Sequence, residues 1–212
     1  AVLALNPNAQ TDVTCNGGNN GTATVSPTGG SGNYSYLWND ANNQTSATAT
    51  GLIAGSYTVT VSDDSSCTTG TNFTITEPVA ITFGASTTFD VRCNGGNNGS
   101  ATVVPQNGVG GYQYIWNDAA SQSSNPAVNL VAGSYDVTVS DINGCTATTN
   151  VVINEPPLLQ VQVSGTPITC YGANDGTASA VASGGVVATT YSYSWSNNGS
   201  TATIQGLPAN RY

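Results

Sequence analysis

Few residues in this chain could do chemistry: five cysteines, eleven carboxylates and a glycine-rich run beside a thiol. That run, CNGGNNG, occupies positions 15–21 and is spelled again at 93–99, with a looser third copy, CYGANDG, at 170–176. A glycine-rich loop next to a thiol can cradle phosphate or help hold a metal. Here both chemistries lack their usual helpers, because the chain has no Lys and no His, and its cations are Arg92 and Arg211. A Ser or Cys nucleophile has no conventional base to activate it. A carboxylate pair could still act as acid and base. However, Asp40, Asp63, Asp118 and Asp141 recur at turn positions, where Asp caps backbone amides. No catalytic residue is assigned, and the chain is read as a non-enzyme.

Calcium competes with turn capping as a reading of these acids. A hard cation needs six or more oxygens, and Asp63 with Asp64 beside Ser65 could supply some of them. The second copy reads SDING, keeping Asp141 and placing Ile142 where the next acid stood, so capping is preferred and no cofactor is expected. Charge narrows the partners further. The formal net charge is -9 and only 6% of residues are charged, so no basic groove for nucleic acid can be assembled. No apolar run approaches the length that crosses a bilayer, so this segment is not expected to insert into membrane.

The elements that must position these residues are written as a repeat. Cys15 to Cys93, Trp38 to Trp116, Tyr57 to Tyr135 and Cys67 to Cys145 are each 78 residues apart. The third copy follows at 77 from Cys93 to Cys170, 79 from Trp116 to Trp195 and 77 from Tyr135 to Tyr212. Junctions fall at TEPV (76–79) and NEPP (154–157), where Pro78, Pro156 and Pro157 end a strand and stiffen the link. Three modules result, 1–78, 79–156 and a truncated 157–212. The period exceeds that of a solenoid turn, so each module is expected to be a small globular domain. The chain starts at Ala1 and stops at Tyr212 inside a strand-like segment, and is read as a part of something longer.

Within a module the hydrophobic period is two. YSYLW (34–38), YQYIW (112–116) and YSYSW (191–195) hold aromatic residues at every first, third and fifth position, which places two Tyr and a Trp on one buried face. Trp38, Trp116 and Trp195 are accordingly read as core, with sugar stacking as the competing role. In SYTVTVSD, Tyr57, Val59 and Val61 point inward by the same rule. Further strands read at 3–14, 22–27, 48–52 and 71–77, separated by Gly, Asn, Asp, Ser and Pro clusters that suit turns. The fold class is all-β: tandem immunoglobulin-like or fibronectin-like antiparallel β-sandwich modules of about 78 residues. LIAGSY, LVAGSY and LPANRY each put a Tyr (Tyr57, Tyr135, Tyr212) just past a tight turn, the pattern of a tyrosine corner. CNGGNNG is then a turn between strands that uses Gly and Asn for positive φ.

Each complete module carries two Cys. Cys15 with Cys67 and Cys93 with Cys145, each pair 52 residues apart, are the expected disulfides, while Cys67 with Cys93 across the junction stays open by spacing. An intra-module bridge would stabilise a small domain by ~4 kcal/mol in the chain-entropy model. Paired Cys in small β domains without metal-ligating His imply an oxidised, exported protein.

CNGGNNGTATV, an aromatic strand ending in Trp, LIAGSYTVTVSD, a second Cys and then FTITEP together resemble the SprB repeat family across all three modules. The resemblance implies a very large cell-surface adhesin of gliding Bacteroidota, exported across the outer membrane by type IX secretion. The parent protein's partners would be the gliding and secretion machinery of the envelope, and external surfaces or polysaccharide. The expected function is a structural stalk in an extracellular adhesin filament that serves adhesion and gliding motility. The alternative is a polysaccharide-binding repeat acting by avidity.

Overall fold

Strand alternation decides which side chains are buried, and the computed structural model, which describes residues 1–186 and 190–210, shows where they go. The first repeat forms β1 (Ala4–Thr11), β2 (Gly21–Thr28), β3 (Tyr34–Trp38), β4 (Thr48–Leu52), β5 (Gly55–Asp63) and β6 (Thr68–Ile75). They pair antiparallel as two sheets, β1-β2-β4 and β3-β5-β6. The inward residues of both sheets, among them Ala23, Val25, Leu52, Trp38, Val59, Val61 and Ile75, meet in one core, with Tyr34, Tyr36 and Tyr57 packed half-buried against it. Thr58 and Thr60 face out.

The second repeat repeats the plan with β7 (Thr82–Phe83), β8 (Thr87–Phe89), β9 (Gly99–Thr102), β10 (Pro105–Gln106), β11 (Gln113–Trp116), β12 (Ala127–Leu130), β13 (Gly133–Ser140) and β14 (Thr146–Ile153). Its sheets are β8-β9-β12 and β11-β13-β14, with β7 and β10 forming a short extra ladder, and Trp116, Val137, Val139 and Ile153 lie in a second, separate core. The opening strand, continuous in the first repeat, breaks here between Phe83 and Thr87, and the Gly84 amide donates to Val104 O, 2.8 Å. Two antiparallel sheets face to face around one core, with the chain crossing between them, make each complete repeat an immunoglobulin-like β-sandwich.

The third repeat has one described sheet, β15 (Gln160–Thr166), β16 (Gly176–Ser183) and β17 (Thr203–Leu207). The expected aromatic strand at 191–195 is not a strand there. Its counterparts β3 and β11 pair with β5 and β13, which follow the Leu-x-x-Gly/Asn turn. Tyr191 and Tyr193 lie half-buried outside any described strand, and Trp195 is half-buried, unlike Trp38 and Trp116. Tyr212 lies outside the described residues.

Two local details explain conserved letters within the repeat. The last Gly of the Cys loop starts β2 and β9 at close quarters: a Cβ at Gly99 would sit 2.7 Å from Ile153 Cγ2 and 2.9 Å from Leu130 O, and at Gly21 2.8 Å from both Ile75 Cγ2 and Leu52 O. Gly99→Ala is expected to cost ~1–3 kcal/mol by overpacking, read as a lower urea midpoint for the chain. The corner tyrosines behave as their position implies. Tyr57 Oη donates to Ile53 O and Tyr135 Oη to Val131 O, each at 3.0 Å. Tyr135→Phe keeps the ring and removes that bond, so a loss of about 1 kcal/mol in thermal or urea unfolding is expected.

Each sandwich has two distinct ends. Val13 N donates to Thr76 O and Gly55 pairs with Ile75, which sets the Cys15 loop at the end that leads into the next repeat. Tyr34 pairs with Asp63 and Ser31 N donates to Asp63 Oδ2, which sets Cys67 at the end that faces the preceding residues. β6, 8 residues long, runs between the two ends.

Candidate functional site

The cysteine loop begins as a hydrogen-bonded turn. Gly18 N donates to Cys15 O and Gly96 N to Cys93 O, both at 2.9 Å, and Ala173 N to Cys170 O at 3.0 Å. The third residue of each loop takes positive φ, 72° at Gly17, 71° at Gly95 and 83° at Gly172, which Gly adopts at no steric cost. The sixth residue closes the loop from inside: Asn20 Oδ1 accepts from Thr14 N, Asn98 Oδ1 from Arg92 N, and Asp175 Oδ1 from Thr169 N.

The loop also grips the junction. Gly17 N donates to Glu77 Oε2 at 2.6 Å, while Asn16 Nδ2 donates to Glu77 Oε1 and to Pro78 O. The second junction repeats the contacts, with Gly95 N on Glu155 Oε2 at 2.7 Å and Asn94 Nδ2 on Pro156 O. The next repeat takes hold one residue later, where Gly108 N donates to Val79 O and Gly185 N to Pro157 O. Each junction carbonyl pair is thus held from both sides. Pro78 and Pro156 are half-buried and Pro157 is exposed.

A disulfide joins the two complete repeats at this place. Cys15 is bonded to Cys145, with Cα atoms 5.4 Å apart, and both are half-buried beside Pro78, Val79 and Ile81. Cys67, Cys93 and Cys170 are free and exposed. This corrects the expected intra-module pairs Cys15 with Cys67 and Cys93 with Cys145. The reason is strand geometry: Cys15 and Cys67 sit at opposite ends of β6, roughly 25 Å apart at about 3.3 Å per residue, far beyond the reach of a disulfide. Pairing of Cys67 with Cys93 fails more severely, since they lie at the two outer ends of the joined sandwiches. Cys145, at the near end of the second repeat, is the cysteine that meets Cys15.

The recurring acids are taken by backbone amides. Asp63 accepts from Ser31 N, Ser65 N and Cys67 N, and Asp141 from Val109 N, Asn143 N and Cys145 N, at 2.9–3.1 Å. Asp40 and Asp118 each close the turn after Trp by accepting from two amides and from the side chain of Gln44 or Gln122. Among the described residues no group of three or more His, Cys, Asp or Glu is placed to hold a metal ion. The Cys67 amide first, with those of Ser31 and Ser65, holds the Asp63 carboxyl below the usual carboxylate range against the opposing pull of burial. A folded pKa below the unfolded one gives stability that is complete above the unfolded value, about 3.9, and is lost as pH falls through the folded value. The melting temperature is therefore expected to fall on the acid side of about pH 4, and Asp63→Asn to flatten part of that fall in a pH series of thermal melts.

The indoles are committed too. Trp38 and Trp116 are 0% and 1% exposed, and their Nε1–H groups donate to Ser46 O and Ser124 O at 2.9 Å. Trp195 Nε1 donates to Thr201 O. Trp38 and Trp116, buried with satisfied N–H groups, have no face left for a sugar, whereas Trp195 is half-buried. Tyr135 is buried and Tyr57 half-buried. Sequence reasoning missed Glu77 and Glu155, although each stands 60 residues after the Gly whose amide it binds, and it missed that the cysteines work across repeats.

The family model for the SprB repeat matches residues 8–43, 85–121 and 163–200, together just over half of the chain. Each match runs from the opening strand region through a Cys loop to the residues just past a Trp. No relative is found among the curated proteins. Solved structures that align with the chain include murine CEACAM1b, at 12% identity, covering 73% of this chain and 98% of that one, with a TM-score of 0.29. The amphioxus IgVJ-C2 molecule aligns at 12% identity over 71% of this chain and 97% of its own, also at 0.29. Domains 4–9 of the surface layer protein SbsC align at 12% identity over 95% of this chain and 38% of theirs, again at 0.29. Three matches in one chain, each centred on a Cys loop and its aromatic stretch, establish that the chain belongs to the SprB repeat family and is a repeat segment of a cell-surface protein.

Proposed function

We propose that this chain is a stalk segment of a secreted bacterial adhesin filament, in which tandem sandwiches hold an adhesive part away from the cell and transmit force during gliding. One observation carries this reading: the junction between complete repeats is both clamped by Glu77, Asn16 and Gly108 and cross-linked by Cys15–Cys145. A cross-linked junction resists bending and slipping, which a load-bearing spacer needs and an isolated binding module does not. The exterior fits the role, being poor in charge and rich in Thr, Ser and Asn. Family membership supports export by type IX secretion in Bacteroidota, a surface location, and coupling of the parent protein to the gliding machinery. Catalysis has no part in this function, since SprB repeats and immunoglobulin-like folds are typically structural.

The test is binding of the purified chain, and of longer tandem arrays of it, to polysaccharides, glass and hydrophobic beads, with and without calcium. Folded protein that fails to bind while small-angle scattering reports a stiff rod supports the stalk. Binding that strengthens with repeat number overturns it in favour of repeats that grip polysaccharide by avidity.

A further inference from the structure

We propose that Cys67 and Cys93 are the open ends of a head-to-tail disulfide ladder, in which the first cysteine of each repeat bonds the second cysteine of the repeat that follows it in tandem. The observed rung is Cys15–Cys145. Cys93 is the repeat counterpart of Cys15, and Cys67 that of Cys145, so each free cysteine is one half of a bond that the structure already contains. Their settings match those of the bonded pair. Cys67 N donates to Asp63 Oδ1 and Asp63 N to Cys67 O, as Cys145 N does to Asp141 Oδ1 and Asp141 N to Cys145 O. Cys93 opens the same turn as Cys15, and its loop holds Glu155 and Pro156 as the Cys15 loop holds Glu77 and Pro78.

Direction follows from the two ends of the sandwich. Cys67 lies at the end toward the preceding residues and Cys93 at the end toward the following ones, so the partner of Cys67 is the first cysteine of a preceding repeat. The partner of Cys93 is the second cysteine of the third repeat, which the 77-residue spacing puts past Tyr212. The junction after Pro156 carries the contacts of the junction after Pro78, including the amide that holds the first carbonyl of the next repeat. The third repeat is therefore tethered as the second is, with the linker forming one wall beside the bond. This favours a tandem neighbour over a separate copy. Cys170 occupies the same place in the third loop and extends the series.

In each rung two Sγ atoms join as two S–H bonds break. Two protons pass to solvent and two electrons to a disulfide oxidant, whose own S–S bond is reduced to two thiols. The ladder rests on this bond geometry and not on the stalk reading, so rods without ladders and ladders without adhesion are separate outcomes.

The test places one copy of residues 79–156 directly before Ala1 of the full chain and oxidises the product with oxidised glutathione. Free thiols are then alkylated and disulfide peptides mapped by mass spectrometry. In the chain alone, Cys67 is expected to alkylate fully. In the extended chain it is expected to be protected and recovered bonded to the first cysteine of the added repeat, while Cys15–Cys145 persists as the internal sign of folding. Changing that added cysteine to Ser should restore alkylation of Cys67. A second chain, with residues 136–156 appended after Tyr212 to complete the third repeat, tests the other end, where Cys93 should become protected. Free Cys67 and Cys93 in chains that retain Cys15–Cys145 overturn the ladder, as do bonds within one repeat or covalent dimers on a non-reducing gel.

Discussion

Trp116→Ala is expected to lower the stability of the second sandwich by ~3–5 kcal/mol, the range for deleting a large aromatic side chain from a packed core. The indole is 1% exposed, and it packs among Val137, Val139 and Ile153 with its N–H on Ser124 O. Alanine removes the ring, leaves a cavity that two sheets cannot collapse without breaking their ladders, and strands a carbonyl that had a partner. With the Cys15–Cys145 bond reduced, the loss should appear as an early unfolding step for one sandwich in urea, with the β signal of the other retained, because the two complete repeats have separate cores. Trp38→Ala should do the same to the first sandwich, where the ring also lies 5.4 Å from Phe73. Trp195→Ala should do much less, since that ring is only half-buried. Unchanged unfolding of the Trp116 variant would refute a core role for the ring.

The contrast among the three tryptophans shows what a sequence can say. Period two places a side chain on a face, and this was legible in YSYLW and YQYIW because alternation is a local property of a strand. Whether that face is covered depends on a partner strand supplied by distant residues, and the similar aromatic pattern at 191–195 forms no strand here. Tyr57 and Tyr135 were legible because their bonds reach back only four residues, and Asp63 because its capping amides include Ser65 and Cys67 just beyond it. The Glu77 grip on Gly17 spans 60 residues and joins a turn to a junction, so no local pattern announces it. The cysteines illustrate the limit best. Even numbers per repeat encourage pairing inside the repeat, but strands are stiff rods, and the length of β6 decides which cysteine ends can meet.

Reducing the Cys15–Cys145 bond is expected to destabilise each complete sandwich by ~4 kcal/mol and to uncouple their unfolding, by a mechanism different from that of an intra-domain staple. With the first sandwich folded, unfolding the second leaves its chain tied at both ends, at the junction after Pro78 and at Cys145, so the unfolded loop loses conformational entropy. The same holds in reverse, because an unfolded first repeat stays tied at Cys15 and at the junction. Once both unfold, a single large loop remains, and its restriction is not twice that of one. The bridge therefore helps each sandwich most while its neighbour is folded, which is a coupling free energy between domains whose cores share no residue. In calorimetry, the oxidised chain should show the two complete sandwiches melting together at a higher temperature, and the reduced chain should show lower and separable transitions. Cys145→Ser should reproduce the reduced pattern without added reductant, whereas Cys67→Ser should leave it at that of the oxidised chain, since Cys67 is free. If the thermograms coincide with and without reductant, the cross-link contributes nothing to stability. If Cys67→Ser matches Cys145→Ser, the bond lies within a repeat after all. Coupled melting would mean that pulling on a row of such sandwiches does not unravel them one by one at the weakest, because each is stabilised by the folded state of the next.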